Sequence, residues 1–222
     1  MTDTNDWLAD ANHPSLETPI AARLDDPALP DRLTWNTFHT LSQWNTDVWV
    51  PRFLEVALGE DNALVECEWG EASVDVWRSG LELTGSTDVV IDGPDAVVLV
   101  EATFLTDLGA DHLAVGADAA LGLPQRADSG KPAAFVLVRP SLDDANEAER
   151  LQDELAADLL DLPEGEGHGL REEALEHIAG WLTWADVGAL AVDIAEESDP
   201  LRQELVHRLV TQLQARFPGI DV

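Results

Sequence analysis

The chain contains one cysteine, Cys67, one methionine, no tyrosine and a single lysine, Lys131. One cysteine excludes an intramolecular disulfide and any zinc site built from several thiolates. Nothing around Cys67 suggests an activated thiolate, so it reads as a small buried or strand residue. Long apolar runs are also missing. The longest, such as Ala96 to Val100 and Ala133 to Val138, fall far short of the roughly 20 residues a membrane-spanning helix needs. The first ten residues carry Asp3, Asp6 and Asp10 with neither a basic nor an apolar segment. No secretory signal is expected, and the cytoplasm is the expected compartment. None of the six histidines pairs at zinc-ligand spacing, and no serine occupies a G-x-S-x-G turn. Zinc-hydrolase and serine-hydrolase readings therefore lack support.

Positive charge is the other scarcity. Over 222 residues, 12 Lys and Arg face 44 Asp and Glu, a formal net charge of −32, and all the cations but Lys131 are arginines. This composition resembles that of proteins from extreme halophiles, whose carboxylate-rich surfaces stay hydrated in molar salt. A DNA mimic or a chaperone-like acidic protein is the competing reading. Acids spread along the whole chain, with no acidic tail, favour the halophilic one. In molar salt, charge repulsion is screened beyond about 3 Å, so the net charge does not exclude DNA as a partner. Hydrophobic residues make up 45 % of the chain, enough for one sizeable core or two small ones.

Residues 1–31 are acidic and broken by Pro14, Pro19, Pro27 and Pro30, which predicts an extended or partly disordered arm. From residue 32 to 222 we expect one domain. Thr34 is placed to cap a helix carrying Trp35, Phe38, Leu41 and Trp44. Pro51 suits the first turn of a continuation that Gly59 ends. Alternation predicts strands over Ala63 to Trp69 and Ser73 to Trp77. Two stronger strands, Asp88 to Ile91 and Ala96 to Phe104, flank Asp92-Gly93-Pro94-Asp95 as a hairpin. Ala133 to Arg139, closed by Pro140, reads as a buried strand. Beyond Ser141 no strand signal is visible. Ser141 with Asp144 opens one helix and Thr183 with Asp186 another, while Asp199 caps a last one with Pro200 in its first turn and Leu201, Leu205, Leu209 and Leu213 repeating at i+4. The expected class is α/β, a small mixed central sheet with flanking helices and a helical C-terminal region over 141–222.

The hairpin carries the chemistry. Pairing Ile91 with Ala96 sets Asp88 opposite Leu99 and diagonal to Glu101, with Thr103 on the same face. Val89, Val98, Val100, Ala102 and Phe104 then line the other face for packing against a helix. Two carboxylates about 6 to 8 Å apart by this diagonal suit a shared divalent ion, magnesium or manganese, completed by water and phosphate oxygens. Glu101 is the more telling of the two. It interrupts an otherwise continuous apolar strand, where a charge is costly unless it is paired or metal-bound. Asp88, at a strand start, is also consistent with a solvated end residue.

Asp88 followed by Glu101-Ala102-Thr103 resembles the PD-(D/E)XK nuclease superfamily, whose sheet is of the restriction-endonuclease-like type. The run from Glu101 to Asp107 is similar to the E-A-K-F-x-S-D version of defence- and restriction-associated members. The resemblance implies that Asp88 and Glu101 bind the metal and that Glu55, on the preceding helix, is a candidate third carboxylate. In the family a lysine, at the position Thr103 holds here, orients or activates the attacking water. A threonine hydroxyl has no charge and can neither lower the pKa of a metal-bound water nor offset charge on the phosphate. Lys131 and Arg126 are candidates to replace it. The segments Leu33 to Phe38 and Gly180 to Trp184 also resemble parts of such proteins. Two functions follow as expectations: magnesium-dependent hydrolysis of DNA phosphodiesters, or a non-catalytic module that binds a protein partner through its Trp- and Leu-rich helices. The tryptophans are expected mainly in the core, and the Gly165 to Gly169 loop is expected to be a linker, because its glutamates would repel phosphate.

Overall fold

The computed structural model describes residues 30–76, 88–104, 131–140, 179–196 and 198–220. The expected N-terminal arm up to residue 29, the Ser141 helix, the Gly165 loop and Arg126 lie outside them. The described residues form four helices and a five-stranded mixed sheet. In chain order these are α1 (Pro30–Leu41), α2 (Thr46–Leu58), β1 (Ser73–Val76), β2 (Val89–Asp92), β3 (Val97–Ala102), β4 (Ala133–Arg139), β5 (Ala179–Thr183), α3 (Trp184–Ala195) and α4 (Pro200–Arg216). The strands lie side by side in chain order. The pairs β1–β2 and β2–β3 are antiparallel, whereas β3–β4 and β4–β5 are parallel.

Helix boundaries differ from expectation where the sequence offers two starts. The first helix begins at Pro30, whose missing N–H costs nothing at a helix start. Thr34 is therefore an internal, buried helical residue and not a cap. The second helix starts afresh at Thr46, with the Asn45 side chain accepting from the Asp47 backbone N–H, so Pro51 falls in its second turn. Gly59 ends it as expected, at φ +91° and ψ 155°. That combination is open only to glycine at low cost. Residues 63–69 turn and form no strand. The Trp69 indole instead donates to the Leu64 carbonyl, and its backbone N–H donates to the Asp47 carboxylate.

The reading of residues 141–222 as wholly helical is overturned by β5. Burial alternates along its five residues, but Gly180, a residue that weakens strands, and the helix cap at its last residue, Thr183, conceal it in the sequence. The caps themselves are as expected. Thr183 and Asp186 form a reciprocal capping box, and the Asp199 side chain accepts from the N–H groups of Leu201 and Arg202 ahead of α4. On α4 the buried stripe is Val206, Leu209 and Leu213, while Leu201 is 65 % exposed. The i+4 leucine row thus drifts off the core face.

One face of the sheet meets the helices. Val89, Ile91, Val98, Val100, Ala134, Val136, Val138 and Leu182 join Phe38, Trp49, Phe53, Leu54, Trp184 and the α3 and α4 residues in one core. Alternation sends Val90, Leu99, Glu101, Phe135, Leu137 and Arg139 to the other face. Five of the tryptophans, Trp35, Trp44, Trp49, Trp69 and Trp184, are buried, in line with a packing role. No helix among the described residues is long and apolar enough to cross a membrane.

Candidate functional site

The hairpin forms, with a register two residues from the expected one. Ile91 pairs with Val98 and Asp92 with Val97, so Gly93 to Ala96 make a four-residue turn closed by the Gly93 N–H donating to the Ala96 carbonyl at 2.9 Å. Trp69 packs on this turn so closely that a Cβ on Gly93 would lie 2.7 Å from its ring. A shift of two keeps every residue on its expected face. It does change who faces whom. Continuing the ladder one residue before β2, Asp88 stands opposite Glu101 and not Leu99. Directly opposed residues have Cβ atoms about 4.5 to 5.5 Å apart, closer than the expected diagonal.

Asp88 has a structural task as well. Its Oδ2 accepts the Ala102 backbone N–H at 2.8 Å, extending the β2–β3 ladder with a side chain where β2 has ended. Both Asp88 and Glu101 are half-buried. The face beyond them is apolar on Leu99, Phe135 and Leu137, all almost wholly buried.

Thr103 is fixed by its backbone. Its N–H donates to Val138 at 2.8 Å, carrying the β3–β4 ladder past the end of β3, and its carbonyl accepts the Trp184 indole N–H at 2.9 Å. Trp184 stacks on Phe104 at 5.1 Å and lies 6.2 Å from Phe217. The Arg216 guanidinium lies 5.8 Å from the Phe104 ring. The first residue of α3 and the last turn of α4 thus clamp the end of β3 against which the carboxylates stand.

Glu55 and Lys131 are not brought to this place. Glu55 is exposed on α2, a helix that packs on the core face of the sheet, opposite to the face of Glu101. The Lys131 amine donates to Asp92 Oδ1 at 3.0 Å and to the Gly93 carbonyl at 2.8 Å. It locks the hairpin turn, next to the pairing of Val97 with Ala133. Glu101 is four residues further along β3, about 13 Å at 3.3 Å per residue.

Arg139 is the residue that the sequence reading passed over as a strand end. It is only 3 % exposed, at the close of β4, and its register neighbour on β5 is Thr183. Since Ala102 pairs with Val138, Arg139 is the lateral neighbour of Thr103 and diagonal to Glu101 on the same face. The signal was available: a charge closing an apolar strand, as Glu101 does in β3.

A divalent ion of the magnesium type keeps several waters and uses one or two protein carboxylates with substrate phosphate. Asp88 and Glu101, both hard oxygen donors at the end of the β2–β3 ladder, match that sparse donor set in kind. Among the described residues, no three His, Cys, Asp or Glu side chains gather into a group that could hold a metal. The fit is thus to a two-carboxylate site and not to a protein cage. No protein-family model, curated protein or solved structure matches the chain.

Proposed function

We propose that the protein is a PD-(D/E)XK-like nuclease of nucleic-acid metabolism or defence, acting on DNA in concentrated salt with Asp88 and Glu101 as magnesium or manganese ligands. The observation that supports the reading is the β2–β3 register, which, continued one residue past the pairing of Val89 with Val100, sets Asp88 across from Glu101. A mixed sheet with helices against one face supports the restriction-endonuclease-like type. The metal would supply Lewis acidity and a water of lowered pKa. In the hydrolysis, the water oxygen bonds to phosphorus, one bridging P–O bond breaks, and the leaving oxygen takes up a proton. Glu101 and Asp88 would hold the ion. The Ala102 N–H, donating to Asp88 Oδ2, holds that carboxylate at the end of the β2–β3 ladder.

The test is cleavage of plasmid and linear DNA by the full chain in molar potassium chloride with Mg²⁺ or Mn²⁺, alongside Mn²⁺ binding. Glu101→Gln should lose at least about a hundredfold in rate, as removal of one electrostatic contributor commonly does. Asp88→Asn keeps an oxygen for the Ala102 N–H and removes only the charge, so it should retain its melting temperature while losing Mn²⁺ affinity. A wild type that neither cuts nor binds Mn²⁺ overturns the proposal. The substitution of Thr103 for the motif lysine favours a second reading, a non-catalytic module that docks a partner through its C-terminal helices. That reading is preferred if Mn²⁺ binds and no DNA is cut.

A further inference from the structure

We infer that Arg216, seated on the rings of Phe104 and Phe217 at the carboxyl end of β3, binds a phosphate of the DNA backbone. The inference rests on the DNA part of the proposed reading and on none of its metal chemistry.

The seat comes first. The Arg216 guanidinium carbon lies 5.8 Å from the Phe104 ring centroid and 5.9 Å from that of Phe217, while the two rings are 6.1 Å apart and 7° from parallel. The cation thus caps the seam between them. Attraction to ring faces occupies no N–H group, so the donor fork stays available to two phosphate oxygens. Trp184 anchors both rings from beneath the surface. It is fully buried, stacks on each, and donates its indole N–H to the Thr103 carbonyl at 2.9 Å. Arg216 itself is exposed.

Charge comes second. Acids outnumber cations 44 to 12. On the same helix Arg202 reaches Asp199 at 3.7 Å and Arg208 reaches Glu204 at 2.8 Å. Arg216 meets no carboxylate within ion-pairing distance among the described residues. A place in the last turn of α4 suits the helix dipole, which accounts for a cation there but not for the two rings under it. In molar salt the chain's own negative field is screened beyond about 3 Å, so attraction at contact range decides. A guanidinium is also weakly hydrated and gives up its water more readily than an ammonium.

Location comes third. Strands β3, β4 and β5 run parallel, and open sheets of such strands take their ligands outside the carboxyl ends. Phe104 stands at that end on the helix-bearing face, with Glu101 three residues back on the other face. The chain between them spans at most about 11 Å. That is about the axial rise of three nucleotides in one DNA strand, so a strand crossing this end meets Arg216 on one side and Glu101 on the other.

Anisotropy of fluorescein-labelled duplex DNA, with EDTA replacing divalent metal and potassium chloride stepped through the molar range, reads binding apart from cleavage. Arg216→Gln should bind about tenfold more weakly, by the same factor for unrelated sequences, because a phosphate contact carries no sequence information. It should also raise the slope of log K against log salt by about 0.9, the share of one phosphate contact. Arg216→Lys restores the charge but not the fork, so it keeps the wild-type slope and regains only part of the affinity. Both variants should melt within about 2 °C of wild type, since the side chain is exposed. With metal present, Arg216→Gln should raise KM and leave kcat unchanged.

Arg216→Gln with wild-type affinity, slope and KM overturns the inference and leaves the nuclease reading standing. A lowered melting midpoint with an unchanged slope overturns it too, because a merely structural role moves stability and not the salt dependence. A wild type that neither binds nor cuts DNA removes both.

Discussion

Gly180 is the point at which the second helix rests on the sheet, and replacing it with alanine should move that helix. A Cβ built at Gly180 overlaps the carbonyl oxygen of Ala57, and it lies 2.7 Å from Leu58 Cδ2 and 2.8 Å from the Ala57 carbonyl carbon. The leucine tip can rotate away. The carbonyl belongs to the last turn of α2 and cannot move without it. Restoring ordinary contact requires that end of the helix to withdraw by about 1 Å, a gap that forfeits a quarter to a half of the dispersion attraction across it. Trp49, Val50, Phe53 and Leu54 of the same helix are all fully buried, so the disturbance reaches the largest side chains of the core. Overpacking typically costs 1 to 3 kcal/mol, and a backbone obstacle puts Gly180→Ala near the top, about 3 kcal/mol. At about 2 to 4 °C per kcal/mol for a chain of this size, the melting midpoint should drop by about 6 to 12 °C. Thermal unfolding in molar potassium chloride, followed by tryptophan fluorescence, measures it. A Gly180→Ala protein that melts within about 2 °C of wild type would refute the reasoning.

Gly59 offers a contrast, because nothing lies within 4 Å of a Cβ there and the whole penalty is its φ of +91°. Gly59→Ala should cost about 1 to 3 kcal/mol by urea titration, and an equal midpoint would show that the helix end relaxes freely. The Cys67 thiol is pushed up by burial and then by the charge of Asp95, so less thiolate is present at any given pH than in a free thiol. Reaction with a disulfide reagent at mildly alkaline pH should be slower than for a small-molecule thiol and should accelerate only above the ordinary thiol range. A rate equal to the small thiol's contradicts that. Raising salt from about 0.1 M to about 1 M shortens the screening length from about 10 Å to about 3 Å. With a net charge of −32, the melting midpoint should climb steeply over that interval, and a flat response would remove the halophilic reading.

What could be read in advance was whatever depends on local chemistry. The Thr183 and Asp186 capping box, the Asp199 and Pro200 start of α4, the Gly59 stop and the two faces of the hairpin all follow from side-chain hydrogen bonds, fixed φ angles or period-two alternation. Misplaced features depend on distant partners. Trp69 pulls residues 63–69 out of extended conformation by bonding to Leu64 and Asp47, and no local pattern announces this. Gly180 in β5 looks like a strand breaker until the carbonyl of Ala57 is seen against it. The sequence makes Lys131 a candidate to fold over the carboxylates because it does not say that Asp92 and Gly93 hold its amine.

Half of the candidate site was legible for a related reason. Glu101 stands out because β3 is apolar up to it, and Asp88 follows from hairpin pairing, which a two-residue slip does not destroy. Arg139 stands out in β4 in the same way, but placing it beside Thr103 requires the parallel register of β3 and β4. An antiparallel hairpin carries its register in a short turn. A parallel pair is joined by a long crossover that leaves the alignment to packing. The alignment does have a local anchor at its start, where the Val97 N–H donates to the Pro132 carbonyl at 3.0 Å and Lys131 is tied to the turn. Lys131 therefore bears on the far end of the sheet without reaching it. By fixing where β4 begins against β3, it helps determine that the buried arginine closing β4 arrives beside Thr103 and not two residues away from it.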